Sequence, residues 1–208
     1  MTLIAVLDYE IGNLRSAQKA LEHVGADARL TTDPALARDA AGVVLPGVGA
    51  FGRCMQALRR HRMDELVYEV VERGVPFLGI CVGMQMLFES SEEAPEEPGL
   101  GVLPGTVRLL PEGVKRPQMQ WNLLERVGDP AILAEAPAEA WAYFVHSYAA
   151  DTDPALVTST CDYGGPVVAS VERGRLWATQ FHPEKSGRTG LAVLRAFVRA
   201  AAAQGAAA

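Results

Sequence analysis

The sequence has few cysteines, a deficit of basic residues and no long apolar run, and each shortage excludes a class of protein. Three cysteines, at positions 54, 81 and 161 of 208, are an odd number without close spacing. They give no disulfide framework and no zinc site, and they fit a reducing cytoplasm. The formal net charge of -6 argues against nucleic acid as the main partner. With no membrane-span-length run and no basic segment of a signal peptide, we expect a cytoplasmic protein.

What is present is an ordinary globular composition, 49% hydrophobic and 21% charged, which allows one domain or two small ones. In the first half, apolar runs alternate with helical patterns, which predicts a parallel sheet with helices on both faces. The predicted strands are residues 3–7, 28–31, 42–45 and 75–80. The predicted helices are residues 14–24, residues 34–39 and one helix that contains Met55 and Met63 and continues towards Val71.

The second half has a different pattern. Residues 89–101 contain five glutamates with proline and glycine, which predicts a solvated surface loop. From residue 102, short β-type runs between turn residues predict a mixed or antiparallel extension of the sheet. A final helix is predicted from residue 188 to about residue 203.

A sharp turn is predicted around Cys81, after the apolar strand 75–80. The cysteine lies between two glycines in Gly79-Ile80-Cys81-Val82-Gly83, and helix-forming residues follow. Strand, tight turn and helix form the signature of a nucleophile elbow, here with cysteine in place of serine. The glycines allow a strained backbone and a close approach of strand and helix, and the helix N-terminus favours a thiolate. The alternative is that Cys81 is an inert buried side chain.

A glycine-rich loop follows the third predicted strand. It reads Pro46-Gly47-Val48-Gly49-Ala50-Phe51-Gly52 and matches neither of the two common phosphate-binding glycine motifs. Such a loop before a helix can cradle a phosphate or form an oxyanion hole, and the alternative is a plain strand-to-helix turn. Because functional loops lie at the carboxyl ends of parallel strands, we expect this loop and Cys81 to lie together.

His182 and Glu184 follow the last predicted strand. In extended backbone, stiffened by Pro183, residues two apart face the same way. A nucleophilic cysteine needs a base, and the base needs an orienting carboxylate, so Cys81, His182 and Glu184 predict acyl transfer from an amide or ester. His146, near the end of another predicted strand, is either a second candidate base or a histidine that closes the strand by hydrogen bonding.

Three motifs, in order along the chain, resemble those of the class I (triad) glutamine amidotransferases. They are Pro46-Gly47-Val48-Gly49, Gly79-Ile80-Cys81-Val82-Gly83-Met84-Gln85 and Phe181-His182-Pro183-Glu184. A finer resemblance, to the glutaminase subunits of imidazole glycerol phosphate synthase, adds Asp8-Tyr9 with Ile11-Gly12-Asn13-Leu14-Arg15-Ser16, Met119 with Trp121-Asn122, Phe144-Val145-His146-Ser147-Tyr148 and Lys185-Ser186-Gly187. It spans nearly the full chain. It implies one domain, residues 1–208, with a flavodoxin-like α/β fold: a mixed, largely parallel sheet with helices on both faces.

The resemblance also implies the chemistry. Cys81 would attack the carboxamide of glutamine, giving a γ-glutamyl thioester and ammonia. His182 would take the thiol proton, protonate the leaving ammonia and later activate water, while Glu184 fixes the imidazole. The N–H groups of Val48 and Val82 would form the oxyanion hole. Two further residues would help to hold the substrate glutamine: Gly49 and Gln85. We expect no metal and no cofactor.

A heterodimer is the expected assembly. In the family, ammonia passes without release to solvent to a (β/α)8-barrel cyclase subunit, which uses it to form imidazole glycerol phosphate in histidine biosynthesis. The positions that match the vicinity of that interface are Asn13, Trp121, Tyr143 and Lys185. Three residues stand where the family usually has glycine, histidine and glycine: Glu10, Gln118 and Gln120. We expect these departures to affect only the partner surface.

Two rival interpretations predict different behaviour. Another triad amidotransferase, such as the glutaminase of pyridoxal phosphate synthase or a component of anthranilate synthesis, would share the chemistry at Cys81 and differ in the acceptor of ammonia. Asn13-Leu14-Arg15 and Lys185-Ser186-Gly187 favour the histidine pathway. A non-catalytic binding module with Cys81 as a redox sensor would show no glutaminase activity with any partner and has no use for Glu184.

Overall fold

Strands and helices alternate through the first half of the computed structural model, which describes residues 1–205. The strands are β1 (Thr2–Leu7), β2 (Ala26–Thr31), β3 (Gly42–Gly47), β4 (Phe77–Cys81), β5 (Ser90–Ser91), β6 (Thr106–Leu109), β7 (Gln118–Leu123), β8 (Glu125–Arg126), β9 (Trp141–His146), β10 (Tyr148–Asp151), β11 (Val157–Asp162), β12 (Pro166–Arg173) and β13 (Leu176–Thr179). The α-helices are α1 (Leu14–His23), α2 (Pro34–Asp39), α3 (Phe51–Arg60), α4 (Met63–Glu72), α5 (Val82–Gln85) and α6 (Gly187–Gly205). Three short 3-10 helices are Ala131–Leu133, Pro154–Leu156 and Pro183–Lys185.

An eight-stranded sheet forms the centre of the molecule, in the order β2-β1-β3-β4-β13-β12-β11-β8. The first five strands in this order run parallel, and the last three pair antiparallel. Every residue of β3 and β4 is buried, so both faces are covered at the sheet centre. A Cβ on Gly42 would touch α6, and one on Gly47 would touch α5; helices therefore lie on opposite faces, as predicted.

The antiparallel extension predicted after residue 102 is only partly in the main sheet. Strands β8, β11 and β12 extend that sheet. The remaining strands form a three-stranded sheet, β10-β6-β5, and a two-stranded ribbon, β7-β9. The prediction of a single helix containing Met55 and Met63 is wrong: the segment forms two helices, α3 and α4, separated at His61 and Arg62. Arg62 has a left-handed backbone, φ +54°, and the break falls within the run Arg59-Arg60-His61-Arg62.

The acidic segment, residues 89–101, is not a solvated loop throughout. Ser91, Ala94 and Leu100 are buried, and Arg59 of α3 forms an ion pair with Glu97. The segment is therefore packed against α3, and its glutamates are partly used in contacts within the chain.

Within residues 1–205, the structure contains no helix with the length and apolarity needed to span a membrane.

Candidate active site

Cys81 lies in the strained turn that its sequence context predicts. Its backbone dihedrals are φ +56° and ψ -112°, a region that side-chain-bearing residues rarely occupy. The neighbouring glycines allow β3 and α5 to approach closely. A Cβ on Gly83 would lie 1.9 Å from the carbonyl oxygen of Leu45, and one on Gly47 would lie 2.6 Å from the nitrogen of Gly83. Register supports the same juxtaposition, because Gly47 of β3 pairs with Cys81 of β4.

His182 and Glu184 form a buried pair beside Cys81. Nδ1 of His182 lies 2.8 Å from Oε1 of Glu184, and their side chains are 3% and 2% exposed. Since Nδ1 is held by the carboxylate, Nε2 is left for Cys81. Glu184 lies in the 3-10 helix Pro183–Lys185, not in the extended backbone that we predicted. The 3-10 turn brings the two side chains together. The pairing of His182 with Glu184 is therefore present, but the extended backbone from which we predicted it is not.

The protonation of His182 follows from these neighbours. Burial by itself lowers the pKa of His182, but its interactions with Cys81 and Glu184 outweigh burial and raise the pKa to about 10. An imidazolium beside a cysteine stabilises the thiolate form of a nucleophile. The amide of Asn13 donates to Oε1 of Glu184 at 3.5 Å, which adds a further contact to the carboxylate.

A cavity of about 420 Å³ opens over Cys81. The predicted nucleophile, base, oxyanion and substrate residues all line it: Val48, Gly49, Cys81, Val82, Gln85 and His182. The amide of Gln85 donates to the carbonyl of Tyr148 at 2.9 Å and to Oε1 of Gln180 at 3.0 Å. These two bonds fix the Gln85 side chain in the cavity wall. Gln180 in turn approaches Sγ of Cys81, at 3.8 Å from its Nε2.

Glu93 is a cavity residue that sequence reasoning missed. It lines the cavity, and its Oε2 accepts from the backbone N–H of Phe51, at the start of α3, at 2.8 Å. A carboxylate facing the cavity matches a ligand that carries an ammonium group. Nothing in the glutamate-rich sequence of residues 89–101 marks Glu93 apart from its neighbours.

His146 also lines the cavity, but the histidine that interacts with Cys81 is His182. Its Nδ1 lies 2.8 Å from the carbonyl of Tyr148. A carbonyl only accepts, so Nδ1 carries the proton and Nε2 is the unprotonated nitrogen. Burial lowers the pKa of His146 to about 4, which keeps the ring neutral. The hydrogen bond supports the interpretation of His146 as a residue that closes its strand.

The four residues predicted near a partner interface lie together beside the cavity. Trp121 and Tyr143 are cross-strand neighbours with ring centroids 6.0 Å apart, and Nζ of Lys185 lies 6.0 Å from the centre of the Tyr143 ring. The carbonyl of Tyr143 accepts from the N–H of His182 at 3.1 Å. Asn13 reaches the same cluster through Glu184. The β7-β9 ribbon therefore connects directly to the base of the site.

One face of the β7-β9 ribbon is apolar and exposed. Its side chains are between 39% and 60% exposed and come from alternate positions of the two strands: Met119, Trp121, Leu123 and Trp141. Large apolar side chains that are contiguous on a surface mark an interaction site.

The three departures from the family pattern lie in different places. Gln120 is exposed on β7. Glu10 is exposed at φ +71°, a backbone conformation in which glycine is unstrained. Gln118, expected on the partner surface, is wholly buried, with Nε2 3.0 Å from Oδ1 of Asn122 and 3.6 Å from Sγ of Cys161. That expectation is wrong for Gln118, because its side chain is on the inner face of the ribbon.

The arrangement suits acyl transfer from a carboxamide. A buried thiol has an oriented imidazole beside it, and backbone N–H groups of the glycine loop and of α5 lie at the same cavity. Among residues 1–205, no group of three or more His, Cys, Asp or Glu side chains is arranged to hold a metal ion.

Comparison with known proteins agrees with this chemistry. The family model described as glutamine amidotransferase class-I matches residues 5–201. The imidazole glycerol phosphate synthase subunit HisH of Synechococcus sp. (strain JA-3-3Ab) is 50% identical over 200 residues, covering 94% of this chain and 92% of the relative. Its counterpart from Moorella thermoacetica is 46% identical over 198 residues, with 95% and 94% covered. A solved structure described as a glutamine amidotransferase is 22% identical and has a TM-score of 0.76, with 96% of this chain and 98% of that chain covered. At this identity, the likeness shows the fold alone.

Proposed function

The chain belongs to the class-I glutamine amidotransferase family, and from this premise we propose that it is the glutaminase subunit of imidazole glycerol phosphate synthase. It hydrolyses glutamine to glutamate and ammonia, and the ammonia is used in histidine biosynthesis. The observation that carries the proposal is the 50% identity to a HisH subunit over 94% of the chain. The buried Cys81, His182 and Glu184 supply the chemistry that this function needs.

The reaction proceeds through a thioester. Sγ of Cys81 attacks the side-chain carbonyl carbon of glutamine, a C–S bond forms, and the carbonyl oxygen takes the negative charge. The N–H groups of Val48 and Val82 donate to this oxyanion. His182 gives its proton to the amide nitrogen, the C–N bond breaks and ammonia leaves. Water then attacks the thioester carbon while His182 takes a proton, the C–S bond breaks, and glutamate is released.

The cavity orients glutamine by charge. Glu93 lies against the α-ammonium group of the substrate, while Gly49 and Gln85 hold the rest of the molecule. Glu93 is itself anchored by the N–H of Phe51, so its carboxylate is positioned before substrate arrives. Binding at the end remote from the carboxamide places the reacting carbon over Cys81.

The partner is a (β/α)8-barrel cyclase subunit that forms a heterodimer with this chain. The apolar face of the β7-β9 ribbon supports such a docking surface, because four large side chains there are exposed in the free chain. Asn13, Trp121, Tyr143 and Lys185 lie where this face meets the cavity. In this proposal, ammonia released at Cys81 passes to the partner bound on the ribbon.

The test measures ammonia and glutamate formed from glutamine by the wild-type chain and by Cys81→Ala. Each is assayed alone, with a histidine-pathway cyclase subunit, and with that subunit plus its nucleotide ligand. We expect strong activation by the loaded partner and complete loss in Cys81→Ala. Activity that ignores the partner would keep the triad and move the acceptor to another pathway. No activity in any mixture would overturn the proposal and favour a binding module.

A further inference from the structure

Two buried side chains that the mechanism does not use form hydrogen bonds with the backbone of the glycine loop. Tyr9 follows β1 and is 0% exposed. Its hydroxyl donates to the carbonyl of Pro46 at 2.5 Å. The pairing of β1 with β3 ends at Val6 and Val44. The carbonyl of Pro46 lies beyond this end, and the Tyr9 hydroxyl is its hydrogen-bond donor.

Cys54 makes the second contact. It lies in the first turn of α3, is 0% exposed, and its Sγ donates to the carbonyl of Val48 at 3.3 Å. Burial raises the pKa of the Cys54 thiol to about 11, and burial also raises the pKa of Tyr9. Both groups therefore keep the proton that their hydrogen bonds need.

These bonds hold the peptide units on either side of one catalytic peptide. The carbonyl of Pro46 belongs to the unit before Gly47, and the carbonyl of Val48 belongs to the unit after Val48. Between them lies the Gly47–Val48 peptide, which carries the Val48 N–H. At Gly47 the loop is also packed against α5, since a Cβ on Gly47 would lie 2.6 Å from the nitrogen of Gly83 and 3.0 Å from the Tyr9 hydroxyl.

We propose that Tyr9 and Cys54 are positioning residues that hold the Val48 N–H in the oxyanion hole. The inference rests on the proposed function, because it assigns Tyr9 and Cys54 a role only if Val48 donates to the oxyanion. An oxyanion donor acts only when it is preorganised within hydrogen-bond distance of the developing charge. Loosening either flanking peptide unit lets that N–H turn away, without altering Cys81 or the cavity.

The test uses two reactions of the same thiol in the complex with the cyclase subunit and its nucleotide ligand. Glutamine hydrolysis passes through an oxyanion. Alkylation by iodoacetamide does not: Sγ of Cys81 forms a C–S bond and iodide leaves with the electrons of the C–I bond. We expect Tyr9→Phe to lower kcat by on the order of 10-fold, less than the ~100-fold or more for loss of a donor itself, with KM for glutamine and the alkylation rate of Cys81 nearly unchanged. Peptide mapping by mass spectrometry separates Cys81 from the other cysteines.

Cys54 allows a conservative rescue. Cys54→Ala removes the donor to Val48 and should lower kcat several-fold, whereas Cys54→Ser keeps a donor and should restore most of it. Matched controls carry the same chemical changes elsewhere. Cys161 is an equally buried cysteine, and the hydroxyl of Tyr163 donates to the carbonyl of Lys115 at 2.7 Å. Cys161→Ala and Tyr163→Phe should leave kcat unchanged.

Three results would overturn the inference: unchanged kcat in both Tyr9→Phe and Cys54→Ala, no rescue by serine, or equal losses of hydrolysis and of Cys81 alkylation. If Tyr9→Phe does not fold, the Cys54 pair decides alone. Failure of the proposed function is distinguishable, because the wild-type complex would then release no ammonia while Cys81 is still alkylated.

Discussion

Strands β9 and β13 each lead to a buried histidine at the same cavity, and the two histidines have opposite electrostatics. His146 ends β9 with its Nδ1 on a backbone carbonyl, and its pKa is lowered to about 4. His182 follows β13 with its Nδ1 on Glu184, and its pKa is raised to about 10. Burial lowers the pKa in both. The partner of Nδ1, together with proximity to Cys81, decides which ring is protonated, and the protonated ring, His182, is the one proposed as catalytic acid and base.

Removing the charge on Glu184 should reduce the difference between the two histidines, and we expect it to have the largest effect on the rate of glutamine hydrolysis. Glu184→Gln retains the shape of the side chain but not the charge, so His182 loses the tautomer that the carboxylate selects and its support as an imidazolium. By analogy with loss of the orienting carboxylate in a serine triad, we expect kcat in the partner complex to fall by roughly 10³- to 10⁴-fold. Steady-state ammonia release measures this. His146→Asn is the comparison, and a loss as large as that of Glu184→Gln would make His146 the base instead.

The carboxylate of Glu93, also at the cavity, should affect the binding of glutamine and not the protonation of the histidines. Glu93 lines the cavity, and in the proposed function it contacts the ammonium group of glutamine. We expect Glu93→Gln to raise KM for glutamine by about 10-fold, as for a lost charge-assisted hydrogen bond, with kcat largely retained. The exposed Glu96 on the same segment provides a control, since Glu96→Gln should leave KM unchanged. A fall in kcat at constant KM would assign Glu93 to the chemistry.

The third expected effect is on folding stability, and it has opposite signs for the two rings. His146 titrates at about 4 in the fold against an ordinary 6.5, so the unfolded chain binds the proton first and stability is lost as pH falls from about 6.5 to 4. His182 titrates at about 10, so its contribution is complete below about 6.5 and is lost as pH rises towards 10. Each slope is at most about 1.4 kcal/mol per pH unit.

Urea unfolding at pH 5, 7 and 9 measures these slopes. His146→Asn should flatten the loss on the acid side, and His182→Asn should flatten the loss on the alkaline side. A variant that flattened the opposite limb would show that the sign of its pKa shift is wrong.

The features predictable from sequence are those set by neighbours in the chain. Gly79 and Gly83 around Cys81 predict a strained, tightly packed turn, and that turn is present. A parallel sheet follows from the alternation of strand and helix patterns, and the parallel pairing of β3 with β4 places the glycine loop beside Cys81.

What sequence could not supply depends on contacts between distant segments. Glu93 is one of five glutamates in residues 89–101, and only the fold turns its carboxylate into the cavity. The break between α3 and α4 uses a left-handed backbone at Arg62, and arginine, unlike glycine, is not typical of that conformation, so the residue does not mark the turn. The polarity of Gln118 does not show which face of its strand it occupies, and cross-strand pairing places it opposite His146 in the interior.

The close approach at Gly83 also has a genetic consequence. The carbonyl of Leu45, in a fully buried strand, lies 1.9 Å from where a Cβ on residue 83 would be. Every glycine codon begins with two guanines, and any change in either base encodes a residue with a Cβ or a stop. Mutation at this codon is therefore silent in the third base and disruptive in the first two, so residue 83 has no single-base path to another side chain that keeps the nucleophile in place.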